Sequence, residues 1–348
     1  MKVTSKPFGK TNDNVEITLY SITNSNGMQV DLINYGATIV NLLVPDKNGN
    51  LADVTTGYDN LDAYLGSHPF FGVIVGPNAN RIANATFSIN GEKYQLAVND
   101  GPNNLHSHND LGYHRRVWDV ATYDDGVTFT LNDEDELMGF PGKKQISVAY
   151  TLNDNNELKL VYNATSDKDT ILNPTNHAYF NLGGHGSGTI NDHIMQISAS
   201  NFTPVADGAI PTGEIVPVAD TPFDFITPRR IGDRVVNDCT QLKICGGYDH
   251  NWVIDGYDGT IKEAARLTDP VSGRTMVTLT DLPGIQFYGG NMLPTHTGKE
   301  GANYEARCAL CLETQFFPDT ANRPEFPPAV FGPTNPYTST TIYRFENN

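Results

Sequence analysis

Thr86-Phe87-Ser88-Ile89-Asn90-Gly91-Glu92-Lys93-Tyr94-Gln95-Leu96 reads as two short strands, Thr86 to Ile89 and Lys93 to Leu96, folded about Asn90-Gly91. An Asn-Gly pair tolerates the two consecutive left-handed residues of a type I′ turn, and that turn matches the twist of paired antiparallel strands. The same pattern extends in both directions. Upstream, Val15 to Ile22, Val30 to Ile33 and Thr38 to Val44 are separated by Ser25-Asn26-Gly27 and closed by Asp46-Lys47-Asn48-Gly49-Asn50. Downstream come Gly126 to Leu131, Lys144 to Leu152, Glu157 to Ala164, His193 to Ala199, Trp252 to Ile254, Arg274 to Thr280, Ile285 to Tyr288, Ala306 to Glu313 and Thr340 to Phe345. Many short strands joined by Gly/Pro-rich turns predict an all-β sandwich or barrel, and a large one. Few short helices are expected, one of them over Tyr58 to Leu65, capped by Asn60 or Asp59.

The strand and turn signals run evenly through 348 residues. No Pro/Ser-rich linker or charge block interrupts them, so a single domain, 1–348, is expected. Acidic residues outnumber basic ones 40 to 23, for a formal net charge of −17. Such a surface repels phosphate backbones and anionic lipid, so neither nucleic acid nor a membrane is an expected partner. Met1 to Asp13 has no apolar signal core and no run is long enough to span a bilayer, so a soluble, cytoplasmic location is expected. The three Asn-x-Thr triplets at Asn84, Asn163 and Asn201 therefore carry no weight.

Four cysteines do not make a disulfide framework in a chain of this length. Cys308 and Cys311 form a C-x-x-C, but strand residues three apart face opposite sides, so they are expected to be two buried small side chains rather than a ligand pair. Gly183-Gly184-His185-Gly186-Ser187-Gly188 matches neither nucleotide fingerprint and precedes Ile190 to Ile197, which reads as strand; it is expected to be a flexible connection.

Candidate chemistry sits in five places. In Asn173-Pro174-Thr175-Asn176-His177-Ala178-Tyr179-Phe180-Asn181-Leu182, an extended chain would put Thr175, His177, Tyr179 and Asn181 on one face and a nearly apolar set on the other. The alternation leaves open whether that polar row meets water or a ligand. Arg81, in Gly76-Pro77-Asn78-Ala79-Asn80-Arg81-Ile82, offers a rigid fork of donors suited to hydroxyls or a carboxylate. Asn99 to His108 is a polar loop bearing His106 and His108; with His114 these could be imagined around a metal, but no carboxylate spacing completes the set. In Gly247-Tyr248-Asp249-His250-Asn251-Trp252, an aspartate and an asparagine share one strand face. Glu313 shares its face with Ala309 and Cys311, small residues that leave room for a ligand and supply no paired cation.

Taken together, Asn80-Arg81-Ile82-Ala83-Asn84, Asn99 to His106, Asn173 to Leu182, Gly247 to Asn251, Pro283-Gly284-Ile285-Gln286-Phe287-Tyr288 and Cys311-Leu312-Glu313-Thr314-Gln315 with Phe317-Pro318-Asp319 resemble the aldose 1-epimerase (galactose mutarotase) family, motif by motif and in order. The resemblance implies a large antiparallel β-sandwich with a sugar cleft on one sheet. It implies Glu313 as catalytic base and His177 as acid, with Asn80, Arg81, His106, Asp249 and Gln286 holding a monosaccharide, and no cofactor or metal. A monomer or homodimer is expected. Two departures, Gly76-Pro77-Asn78 and Ser107-His108-Asn109-Asp110, border the implied cleft and bear on sugar preference.

Exchange of anomers needs a base at the C1 hydroxyl and an acid at the ring oxygen. Ordinary values of about 4.3 for glutamate and 6.5 for histidine would leave the imidazole only partly protonated at neutral pH. Glu313 and Asp249 are expected to raise that fraction, giving a broad plateau of activity near neutrality. The competing readings are a glycoside hydrolase using Asp249 and Glu313, a non-catalytic sugar-binding protein on the same fold, and a hexose-6-phosphate epimerase, which would need a cationic pocket.

Overall fold

The computed structural model describes residues 2–66, 69–236 and 238–347. The Asn90-Gly91 hairpin forms as expected: Thr86–Ile89 pairs with Glu92–Gln95, Ile89 faces Glu92, and both turn residues have positive φ, 53° and 82°. Phe87 and Ile89 point into the core and Ser88 points out.

Three antiparallel sheets carry most of the strand residues. A five-stranded meander runs from Lys2–Lys10 to Leu51–Asp53. A nine-stranded sheet includes Gly126–Asp133, Lys144–Leu152, Glu157–Ser166, Arg274–Thr280 and the C-terminal Tyr337–Asn347. Its strands alternate buried and more exposed residues, as one covered face requires: Ile146, Val148, Tyr150 and Leu152 point inward. Each fully buried side chain of this kind contributes about 1.5–3 kcal/mol.

The six-stranded sheet is different. In the order Tyr179–Phe180, Leu310–Gln315, Gly284–Tyr288, Asp249–Val253, Asn201–Thr203, Val216–Pro217, its three central strands are almost wholly buried on both faces. Leu310, Leu312, Ile285, Phe287 and Trp252 join the core. There Tyr343 of the nine-stranded sheet donates to the Leu312 carbonyl at 3.3 Å and packs on Phe180, ring centroids 5.0 Å apart. The alternate residues, Cys311, Glu313, Gln286, Tyr288, Asp249 and Asn251, form a second, polar face covered by loops. Register aligns Glu313 with Gln286 and Asn251 in one row, and Cys311 with Tyr288 and Asp249 in the next.

Three local expectations change, and the few short helices expected prove to be two α-helices among the described residues. Asn173–Leu182 is not one strand: Thr175–Asn176 pairs with Ile74–Val75, whereas Tyr179–Phe180 pairs with Leu310–Gln315. The helix is shorter, Leu61–Leu65, and Asn60 is its cap, accepting the Ala63 amide at 3.1 Å. A second helix, Thr240–Cys245, ends at the left-handed Gly246; its six residues are too short to show helical periodicity. Cys308 precedes the strand that begins at Leu310 and packs in one apolar cluster with Ala309 and Cys311, not with the leucines. All four thiols are free.

Candidate active site

The polar face of the six-stranded sheet forms the floor of a cavity whose walls come from the loops at Phe70, Asn80–Arg81 and Leu105–His106. Asn80, Arg81, His106, His177, Asp249 and Glu313 all line it, from segments scattered over more than 230 positions. Phe70, Tyr179, Tyr288 and Met292 add the apolar surface. Alternation had put Tyr179 on the His177 face; Phe70, Tyr288 and Met292 were not singled out, because their types alone do not mark a site.

Two loops are locked together at Asn80 and His106. Both residues are left-handed, with φ of 59° and 52°. The Asn80 amide donates to His106 Nδ1 at 3.1 Å, the His106 amide donates to the Asn80 carbonyl at 3.0 Å, and Asn80 Oδ1 accepts the Arg81 amide at 2.8 Å. Because His106 Nδ1 is an acceptor, its proton sits on Nε2. Burial, then the neighbouring His177 and Arg81 charges, hold His106 well below the usual histidine value, so it is a neutral donor.

Arg81 donates through Nε to Asp100 at 2.8 Å and lies 3.6 Å from Asp249. Burial pulls its pKa down, but Asp249 and Asp100 outweigh that and leave it raised. Asp249 Oδ1 accepts Gln286 Nε2 at 2.7 Å, and Gln286 in turn accepts from Gln315 at 3.2 Å. Gln286 lies one layer behind Asp249. It is 3% exposed and absent from the cavity lining. One N–H of its amide holds Asp249 from behind.

His177 and Glu313 face one another, Nε2 to Oε2, at 3.8 Å. Glu313 is 3% exposed, and its Oε2 has no hydrogen-bond partner. A buried, unpartnered carboxylate oxygen beside an imidazole is costly unless something binds there. Burial pushes the Glu313 carboxyl well above its ordinary value, Asp249 adds to this, and Arg81 partly opposes it. His177 is driven down to about 4 by burial. The expectation that its acidic neighbours would raise it is therefore wrong, because losing water outweighs the nearby carboxyls.

His177, Cys311 and Glu313 bring one donor atom each within 4.8 Å of one another. The thiol approaches Nδ1 and the carboxylate Nε2, so the two flank the ring rather than converge on one nitrogen. The two departures meet each other: Ser107 Oγ accepts the Asn78 amide at 2.9 Å and donates to the Asn78 carbonyl at 3.0 Å. They brace the Asn80–His106 junction and do not line the cavity.

A sequence model of the aldose 1-epimerase family matches residues 18–344. Galactose mutarotase of Bos taurus is 41% identical over 322 residues, covering 92% of each chain. Aldose 1-epimerase of Escherichia coli K12 is 34% identical over 330 residues, covering 94% of each. Among solved structures, a C. elegans GalM/aldose epimerase homologue superposes with a TM-score of 0.87 at 33% identity over 94% of this chain and 98% of that one. A galactose 1-epimerase from Lactobacillus acidophilus gives 0.86 at 28% over 99% of each. With the family match running almost end to end and the polar cavity in place, the chain belongs to the aldose 1-epimerase family.

Proposed function

We propose that Glu313 and His177 interconvert the α and β anomers of free aldohexoses such as D-glucose and D-galactose, with Arg81, His106, Asp249 and Asn80 holding the sugar and Gln286 holding Asp249. The observation that carries this is the buried pair itself, 3.8 Å apart, with an unpartnered carboxylate oxygen on the cavity side. As a member of its family the protein is an isomerase of the epimerase class.

In the reaction the Glu313 carboxylate takes the proton of the C1 hydroxyl, C1 becomes the aldehyde carbon, and the C1–O5 bond breaks. The electron pair goes to O5, which takes the proton at His177 Nε2. C1 turns, and closure on its other face reverses both transfers. The pair thus needs one mobile proton. Burial of both groups favours the protonated carboxyl with neutral imidazole, which is the distribution the site has while the sugar is open. A ring-closed sugar, hydrogen-bonded to the carboxylate, favours the opposite distribution, so the proton moves without any change in net charge.

The phosphosugar reading has little support. Arg81 is the one cationic side chain lining the cavity among the described residues. Arg115 is spent on the carbonyls of Tyr64, Leu65 and Gly66, Arg116 on Asp133, and Arg229 and Arg230 on Asp224 and Asp192. A hydrolase would need Asp249 or Glu313 to protonate a leaving group, and Asp249 is already engaged by Gln286 and Arg81. A single domain, supported by a core cluster shared by all three sheets, and a cytoplasmic location free of nucleic acid and membrane partners, supported by the charge of −17, belong to the same proposal. Among the described residues no helix is long and apolar enough to cross a membrane.

Polarimetry of freshly dissolved α-D-glucose and α-D-galactose tests it. The protein should accelerate the approach to equilibrium rotation, and Glu313→Gln or His177→Asn should lower kcat by 100-fold or more with KM little changed, on the order of the 10²–10⁴ that acid–base groups supply. Failure to accelerate either sugar removes the proposal.

A further inference from the structure

Cys311 has no part in the steps above, yet it is the residue nearest the far side of the catalytic imidazole. It stands two positions before Glu313 and therefore on the same strand face, between Tyr179 and Tyr288 in the row. It is 0% exposed, and its sulfur lies 3.5 Å from His177 Nδ1. The mechanism assigns proton exchange to Nε2, the nitrogen that faces Glu313. An imidazole that gives up a proton at Nε2 becomes neutral only if Nδ1 keeps its own hydrogen throughout; otherwise the product would be an imidazolate. A buried N–H that persists through the cycle needs an acceptor.

We propose that Cys311 is a positioning residue whose sulfur accepts the His177 Nδ1–H, fixing the tautomer in which Nε2 exchanges the proton. This rests on the function proposed above. Burial, with Glu313 and Asp249 nearby, keeps the thiol well above its ordinary pKa, so the sulfur stays a neutral acceptor and adds no second anion beside Glu313. The main-chain oxygen of His177 receives the Gly72 amide at 3.1 Å and keeps a second lone pair, so it is the competing acceptor for Nδ1–H that the Cys311 variants distinguish from the sulfur. His106, whose ring centroid is 5.2 Å away, is held in the opposite tautomer by the Asn80 amide. The cavity thus contains one histidine that only donates at Nε2 and one that exchanges there, distinguished by what touches Nδ1.

Two measurements test this on the full chain. Long-range ¹⁵N–¹H correlation spectra near neutral pH, with His177 assigned by its loss in His177→Asn, should show hydrogen on Nδ1 in the wild type. Cys311→Ala should lower kcat on D-glucose about tenfold with KM within twofold, the low end for a group that orients a functional histidine, and should release the tautomer. Cys311→Ser, whose hydroxyl can accept, should keep Nδ1–H and most of kcat. Wild-type hydrogen on Nε2 with none on Nδ1 overturns the proposal, as does an Ala variant with unchanged tautomer and kcat, or equal losses in Ser and Ala. A wild type that never accelerates mutarotation removes the function instead, and the ring is still read by the spectrum.

Discussion

At the scale of single residues, burial changes the protonation of the proposed catalytic pair, lowering His177 and raising Glu313. His177 at about 4 and Glu313 well above 4.5 mean that the pair holds one mobile proton between those two limits. Below about pH 4 a second proton occupies the base; above the raised carboxyl value no proton is left for the acid. The kcat/KM profile, which reports the free enzyme, should have its acid limb near pH 4. An acid limb near 6.5 would contradict a desolvated His177. The identities of Glu313, His177, Arg81, His106, Asp249 and Asn80 were legible from motifs in the chain. The Gln286–Asp249 hydrogen bond was not, since a glutamine in the right motif gives no sign of which neighbours its amide meets.

Among elements, the strand Leu310–Gln315 behaved as alternation requires, sending Leu310 and Leu312 to the core and Cys311 and Glu313 to the opposite face. Asn173–Leu182 did not, although its sequence alternates as well. Its first half pairs with Ile74–Val75 and its second with Leu310–Gln315, so Thr175 and Asn181 turn to main-chain carbonyls of Thr314 and of Gly188 and Cys308, leaving His177 and Tyr179 at the cavity. Nothing local marks a change of partner strand. The Asn78–Ser107 brace belongs to this scale too. Ser107 is left-handed at φ 70° and its hydroxyl satisfies the buried Asn78 amide. Ser107→Ala leaves that amide unpaired and should cost about 1–3 kcal/mol in chemical denaturation; an unchanged midpoint would show that the brace contributes nothing.

For the whole molecule, three buried histidines accept main-chain amides on a ring nitrogen: His106 from Asn80, His193 from Leu182 and His250 from Asp249. Burial lowers His193 to about 4 and His250 to about 3, and His106 well below its usual value. The unfolded chain takes up protons near pH 6.5 and the folded one does not, so stability is full above that value and is lost as pH falls from 6.5 toward 4. Scanning calorimetry should show Tm dropping across this window, with His193→Gln flattening the slope; a Tm independent of pH there would mean that these rings charge freely in the fold. The sequence by itself determined the strand-and-turn pattern, the Asn-Gly hairpin and the family of the chain, because turn chemistry, alternation and motif order are properties of neighbouring residues. Only the tertiary structure decided that Asn173–Leu182 divides between two sheets, that Gln286 serves Asp249, that His177 is neutral, and that Cys311 touches its ring. Each of these depends on burial and on contacts between residues far apart in the chain, and water excluded from a cavity leaves no mark on the order of amino acids.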